Sequence, residues 1–449
     1  MFNTLNGLFG ILLIFAIAYA VSNNKKKIPW KMVLYGLLIQ FFFAVFVLKG
    51  HQLGAYWSPL AWPLKFFELC SKAFVVILGF TTDGARFIFG DLALSPGSPK
   101  SIGFFFAFQV LPTIIFFSAL MSVLYFLGIM QKIVQGMAWV MLRILGTSGA
   151  ESLSCTANIF LGQTEAPLMV RPFLAKMTMS ELLAVMIGGM ATVAGGVMAA
   201  YIQMLGNSYA LTHGISIMEG QIKFAEQLMG ASIMAAPAAL VLSKVIWPEM
   251  GEPVTKGSVK IEIPKTSTNV IEAAAEGAGN GLQLAMNVGA MLLAFIALIA
   301  LTNWGLEKIG SLIGMNDFLM NKYGSPLRLE LMMGLVLQYL AVGIGVPWED
   351  ARTFGSLLGT KVVLNEFVAY LNLSDLINQG KIINEKTITM ITFALCGFAN
   401  FSSIAIQIGG LSPMAPERRS DLAVLGLRAV LGGLLATLLT ATIAGILLG

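Results

Sequence analysis

The sequence predicts an all-α polytopic membrane protein. Three observations carry that reading: 57% of the 449 residues are hydrophobic, only 11% are charged, and the mean hydropathy is +0.81. These values lie far from those of ordinary soluble domains. Leu5–Val21, Met32–Leu48 and Ile102–Ile129 are each long and uncharged enough to cross a hydrocarbon layer of about 30 Å as a helix. A water-soluble fold would have nowhere to put them.

The first of these stretches has no basic run before it and no small-x-small cleavage site after it, so it reads as a retained helix rather than a signal peptide. The loop "NNKKKIPWK", read as cytoplasmic, places the amino terminus outside and returns the second helix outward. From Pro59 to about Gly90, Lys65, Glu68, Lys72 and Arg86 stand among aromatic residues, as in an amphipathic helix lying along the interface. A Pro/Gly/Ser break, "SPGSPK", then precedes a third crossing that ends near Gln131 and Lys132.

From Ala138 to Lys176 the apolar runs shorten around "GTSGAESLSCTANIFLGQTEAP", a string rich in helix breakers and hydroxyls. Irregular backbone at membrane depth must be buried in protein or line a wet cavity, because lipid cannot satisfy its N–H and C=O groups. A re-entrant hairpin meets that condition. The next stretch, "MSELLAVMIGGMATVAGGVMAAYIQMLG", is long enough to cross, and its paired glycines flank Thr192. It is either a close-packing helix or one opened in the middle. Gln227–Trp247 supplies another crossing, and a polar section with Lys244, Lys256, Lys260 and Lys265 reads as a cytoplasmic linker.

A long apolar helix follows from near Leu284 towards Leu312, then a helical stretch from Leu329 to Ile344. The earlier pattern then returns. "DARTFGSLLGTKVVLNEFVAYLNLSDLI" has short apolar runs around Glu366, "TMITFALCGFANFSSIAIQIGGLSP" is a crossing with a polar centre, and an uncharged helix runs from Val430 to the end. Broken hairpin, polar-centred helix and plain helix thus occur twice, the arrangement of a secondary transporter with its site at mid-membrane.

Composition excludes several functions. The net charge of +5 comes from thinly scattered basic residues that fit loop retention on the cytoplasmic side better than nucleic-acid binding. Cys70, Cys155 and Cys396 have no CxxC spacing, and His51 and His213 are far apart, so a thiol catalyst, a disulfide framework and a zinc site lack support. No nucleophile has a paired base, which argues against an intramembrane enzyme. Charged hairpins argue against an open passive pore.

The candidate ligand contacts are the polar residues of the broken segments. Gln163, Thr164 and Glu165 can together donate and accept hydrogen bonds, and a desolvated group left unpaired costs about 1–3 kcal/mol. They therefore meet a polar ligand or form a private network in which Glu165 pairs with Arg171 or knots the hairpin. Glu366 with Asn400 and Ser403 presents the same two options, and one ligand between both clusters would use them all. Phe398 either offers a face to a planar ring or packs. Asn158, Thr192 and freed carbonyls are hard oxygen donors suited to Na+.

The strings "GQTEAPLMVRP", "GTKVVLNEFVAY" and "CGFANFSSIAIQIGG" resemble the concentrative nucleoside transporter family of Na+/nucleoside or H+/nucleoside symporters, and the similarity extends over almost the whole chain. The resemblance implies a bacterial, inner-membrane member with about eight transmembrane helices, two re-entrant hairpins, an inverted repeat, an elevator-type transport cycle and a homotrimeric assembly in membrane lipid. It implies nucleosides such as uridine as substrate, with Gln163, Thr164, Glu165 and Phe398 facing the base and Glu366, Asn400 and Ser403 holding the ribose. Asn158, Thr192 and the carbonyls of Leu161 and Val193 would surround the coupling Na+. Thr192 stands where a sodium-coupled member carries serine, and keeps the oxygen. H+ coupling is the alternative, with Glu165 or Glu366 carrying the proton, as is a carrier of free nucleobases or another small polar solute.

The expected organisation is a scaffold with an interfacial helix over 1–130, a first transport repeat over 131–248 and a cytoplasmic linker over 249–283. A central scaffold helix region over 284–349 and a second transport repeat over 350–449 complete it.

Overall fold

The computed structural model of the chain describes residues 2–94, 100–257, 267–382 and 384–449. Among these residues the fold is helical, with no β-strand beyond one isolated bridge between Ser148 and Lys256. Most of the "SPGSPK" break lies outside the described residues, as do Lys260 and Lys265 of the linker.

Helices α1 (Phe2–Ala20) and α2 (Trp30–Tyr56) are joined by the lysine-rich turn, where the Asn24 side chain accepts from the Lys26 N–H. Helix α3 (Trp62–Phe89) buries a single stripe, Leu64, Phe67, Ser71, Val75, Leu78, Thr81 and Ala85. That spacing of three and four residues is the signature of an amphipathic helix. The short α4 (Phe106–Gln109) leads directly into α5 (Leu111–Phe126), and the Gln109 amide donates to the carbonyls of Leu92, Leu94 and Gly103. One side chain thus ties the connection behind it. Helix α6 (Ile129–Leu145) is amphipathic and is bounded by Gly128 and Gly146, both left-handed.

The first broken segment comprises α7 (Gly149–Ala157), a turn, a 3-10 stretch over Ala166–Val170 and α8 (Arg171–Leu174). Next come α9 (Met179–Ala191), α10 (Gly195–His213) and α11 (Ile217–Ile246). The starts of α7, α9 and α11 are closed by reciprocal caps, Ser148 with Glu151, Thr178 with Glu181 and Ser216 with Glu219. Each cap satisfies two N–H groups that the helix leaves open. Helix α12 (Val270–Leu312) has 43 residues, about 65 Å at 1.5 Å per residue. It begins well inside the stretch expected to be linker. Asn269 caps it, and the run rich in alanine and glutamate that follows favours helix.

Helices α13 (Met315–Tyr323) and α14 (Leu329–Gly343) precede the second broken segment, α15 (Trp348–Val363) and α16 (Glu366–Asn378). The chain closes with α17 (Glu385–Leu395), α18 (Phe401–Leu411) and α19 (Arg419–Leu448). The order of broken segment, interrupted helix and long helix therefore occurs twice.

The count of crossings differs from the expected eight. Six helices among the described residues are long and apolar enough to span a membrane, or seven if α14 and α15, bent by 119°, are one span. This bent pair stands in place of two well-defined re-entrant hairpins. The reasons are local. Helices α17 and α18 have 11 residues each, and the helices of the first broken segment have only nine and four.

Burial divides the long helices into two groups. The apolar windows of α9–α10 and α11 are both 89% buried and that of α19 is 78% buried, whereas those of α2, α4–α5 and α12 are 28%, 28% and 17% buried. The first group forms the protein interior. The second presents its apolar side chains outward, as lipid contact requires.

Glycines set how closely the interior elements meet. A Cβ on Gly188 would lie 2.7 Å from Cys155 Sγ, and one on Gly189 would lie 2.9 Å from Gln163 Cβ. The α9 backbone therefore rests directly on the first broken segment. The chain then opens at Thr192, which is extended. Close packing and an opened helix, alternatives in the sequence, are both present and adjacent.

Candidate functional site

The site is built from interruptions in helices, where backbone groups and polar side chains are freed together. In the first broken segment, Gln163 is buried and its Nε2 donates to Ser403 Oγ at 3.1 Å, while its Oε1 has no hydrogen-bond partner. Thr164 packs its methyl against α18, where a Cβ on Gly410 would lie 2.6 Å from Thr164 Cγ2. Glu165 is exposed and its Oε2 accepts from the Gly162 N–H at 3.0 Å. That bond closes its own turn; Arg171 is also exposed.

In the second broken segment, Asn365 caps α16 by accepting from the Val368 N–H, which places Glu366 at the first position of the helix. Helix N-termini favour a carboxylate. Glu366 is buried; its Oε1 accepts from the Tyr201 hydroxyl and its Oε2 from Asn400 Nδ2, both at 3.1 Å. Asn400 in turn caps α18, its Oδ1 accepting from the Ser403 N–H at 2.9 Å and the Ser402 hydroxyl at 2.7 Å. Glu366, Asn400, Ser403 and Gln163 thus form one hydrogen-bonded chain linking the two halves.

Gln163, Thr164, Glu165, Glu366, Phe398, Asn400 and Ser403 all line one cavity of about 160 Å³. Asn365 and Ser402 add to the polar side, and the facing wall is apolar, with Val197 of α10 and Leu284, Val288, Met291 and Leu292 of α12. Polar groups on one side and hydrocarbon on the other suit a ligand with a hydroxylated part and a flat apolar face. Phe398, half-buried on this wall, follows Gly397 in the interruption between α17 and α18. Tyr201 and the α12 wall were not singled out in the sequence. Leu284, Val288, Met291 and Leu292 recur at helical spacing, but that pattern does not say what the face meets.

The oxygen-rich corner lies next to this cavity. Cys155 and Gln163 press on Gly188 and Gly189, and the Gly195 N–H donates to the Phe160 carbonyl at 3.0 Å. Asn158 lies between the first pair of contacts and Thr192 between the last two. Asn158 is fully buried; its Nδ2 donates to the Ser154 carbonyl and its Oδ1 has no hydrogen-bond partner. The Thr192 hydroxyl donates to the Gly188 carbonyl at 2.9 Å, which leaves its oxygen lone pairs free to accept or coordinate. Val193 is buried and Leu161 is half-buried. A buried amide oxygen without a donor is what a dehydrated hard cation would satisfy.

The base of α7 is fixed by a buried ionic group. Lys244 Nζ lies 2.6 Å from Glu151 Oε2 and donates to Ser180 Oγ at 2.8 Å, while the Ser148 hydroxyl donates to Glu181 Oε1 at 2.6 Å. These bonds join α7, α9 and α11 and hold the broken segment in register. Among the described residues no cluster of His, Cys, Asp and Glu is arranged to hold a transition metal, and Cys70, Cys155 and Cys396 are free thiols.

Comparison with known proteins gives consistent matches along the chain. Residues 9–92 match the family model described as the Na+ dependent nucleoside transporter N-terminus, residues 227–445 its C-terminus, and residues 107–208 a nucleoside-recognition model. An uncharacterized transporter of Haemophilus influenzae is 44% identical, across 100% of this chain and 98% of its own. CNTnw in an inward-facing substrate-bound state superposes with a TM-score of 0.84 at 40% identity, covering 99% of both chains. A doubly substituted CNTnw in an outward-facing state gives a TM-score of 0.86 at 40% identity, covering 100% of this chain and 98% of that one.

Proposed function

Because this chain belongs to the concentrative nucleoside transporter family, we propose that it is a Na+-coupled nucleoside symporter whose substrate binds between the two broken segments. The observation that carries the reading is the convergence of Gln163, Thr164, Glu165, Phe398, Glu366, Asn400 and Ser403 on one cavity. Glu366, Asn400 and Ser403 are assigned to the ribose hydroxyls, since a carboxylate is a charge-assisted acceptor for hydroxyl donors. Gln163, Thr164, Glu165 and Phe398 are assigned to the base. Asn158 and Thr192, with the carbonyls of Leu161 and Val193, are assigned to Na+, supported by the unpartnered Asn158 Oδ1.

Transport needs no covalent step. One positive charge moving inward down 100 mV releases about 2.3 kcal/mol, enough for roughly fifty-fold accumulation of substrate. Binding of ion and nucleoside must be reciprocal for that energy to be used. The contact between Gly189 and Gln163 offers the physical link, because α9 ends at the ion corner and Gln163 lines the nucleoside cavity.

The wider architecture follows the same reading. Adding α1 and the α17–α18 pair to the six long apolar spans gives eight crossings, and the broken segments act as two re-entrant hairpins in an inverted repeat. The repeats at 131–248 and 350–449 move as an elevator-type transport body against a scaffold of 1–130 and 284–349, with 249–283 joining the halves; burial of α9–α11 and α19 supports this division. Assembly into a homotrimer in an inner membrane belongs to the same reading. Uptake of labelled nucleosides by purified protein in proteoliposomes, with Na+ and proton gradients imposed separately, tests the function; accumulation of uridine with the Na+ gradient alone is expected.

A further inference from the structure

Lys361 is a fully buried lysine on α15, and it has no role in the nucleoside or ion sites above. Its Nζ donates to the Ala394 carbonyl at 2.8 Å and to Thr437 Oγ1 at 3.1 Å. Among the described residues it forms no ion pair. The nearby carboxylate on the same segment, Glu366, bonds instead to Tyr201 and Asn400. A buried ammonium with no direct ion pair is costly and calls for an explanation.

The acceptors supply one. Ala394 lies in the last turn of α17, and the Cys396 N–H turns back to Phe393, so the Ala394 carbonyl is an oxygen that the helix itself leaves open. Such carbonyls carry the negative end of the helix dipole. Thr437 donates its own proton to the Leu434 carbonyl at 3.0 Å, leaving a lone pair for the ammonium. The lysine thus sits in a nest of oxygens at the end of an interrupted helix.

At the break of the other repeat no lysine among the described residues bonds the helix end; the buried lysine of that repeat, Lys244, ties the opposite end of α9 through Ser180. There the interrupted helix α9 ends at Ala191, the broken segment beside it contributes Asn158, and the Asn158 Oδ1 is buried without a partner. One helix break therefore lacks a cation and the other carries its own. We propose that the Lys361 ammonium is a tethered cation that fills, at the second helix break, the place Na+ takes at the first, so that one Na+ is coupled to each nucleoside. Lys361 is a positioning residue: it holds the end of α17, from which the chain continues through Phe398 and Asn400 into the nucleoside cavity. This inference rests on the Na+ symport reading.

The test uses the full-length protein in proteoliposomes at fixed pH, with radioactive Na+ and labelled uridine fluxes measured together. The wild type should move one Na+ per uridine. Lys361→Asn shortens the side chain, keeps a hydrogen-bond donor and removes the charge; its uptake should require about tenfold more Na+ and its flux ratio should rise above one. An unchanged Na+ requirement and a ratio of one in K361N would overturn the proposal. A wild-type ratio of two would overturn it whether or not the variant folds, while leaving Na+ symport intact. Wild-type uptake that ignores Na+ would instead remove the symport reading on which it rests.

Discussion

Gln163 Nε2 donates to Ser403 Oγ across 3.1 Å, joining residues 240 positions apart. This bond connects the turn of the first broken segment to the first turn of α18, and through Asn400 to Glu366. A ligand in the cavity meets a network that is already ordered, so less side-chain entropy is lost on binding.

Glu366→Gln should weaken uridine binding about ten- to hundred-fold, since hydrogen bonds to a charged group contribute roughly 1.5–3 kcal/mol. The amide keeps the shape and loses an acceptor while gaining a donor opposite Asn400 Nδ2. Equilibrium binding to purified, folded protein measures it. Affinity within twofold of wild type would remove Glu366 from the ribose site.

Tyr201→Phe should have a smaller effect of the same sign. The Tyr201 hydroxyl orients Glu366 Oε1, and a single net hydrogen bond contributes about 1 kcal/mol, so a roughly fivefold rise in the uridine concentration for half-maximal uptake is expected. An unchanged half-maximal concentration would remove the hydroxyl from the site and leave the ring, packed against Phe367 and Tyr370, as what Tyr201 contributes.

Gly397→Ala should destabilise the protein. Gly397 has φ +149°, and an added Cβ would lie 2.8 Å from the Ala191 carbonyl carbon and the Met190 carbonyl oxygen and 2.9 Å from the Ala191 carbonyl oxygen, where the two helix interruptions touch. Backbone cannot yield as a flexible side chain does, and overpacking costs about 1–3 kcal/mol before the unfavourable φ is added. Gly279 of α12, with open space around it, serves as the control. Thermal unfolding in detergent should show a lowered midpoint for G397A and little change for G279A.

The polar residues of the site were legible in the sequence because carboxylates and amides among apolar runs stand out where their burial is expensive. Tyr201 did not stand out, since a tyrosine within "AAYIQM" fits ordinary packing and only the fold reveals Glu366 beside it. Lys361 was equally silent, as its partners are a main-chain carbonyl and a threonine over 30 residues away in the chain. The repeated order of elements could be read from composition. The exact crossings could not, because α17 and α18 are each half a span.

Thr192→Val deletes one hydroxyl from the oxygen corner while nearly keeping the side-chain shape, and so probes the coupling of ion to nucleoside. Uridine uptake should be titrated against Na+ and uridine together in wild-type and T192V proteoliposomes, at fixed pH and with folding checked. The expected result is a half-maximal Na+ concentration raised about tenfold, with uridine affinity reduced below saturating Na+ and restored at high Na+, as reciprocal coupling demands. An unchanged Na+ dependence in T192V would contradict the ion site, and wild-type uptake that follows a proton gradient and ignores Na+ would contradict Na+ coupling itself.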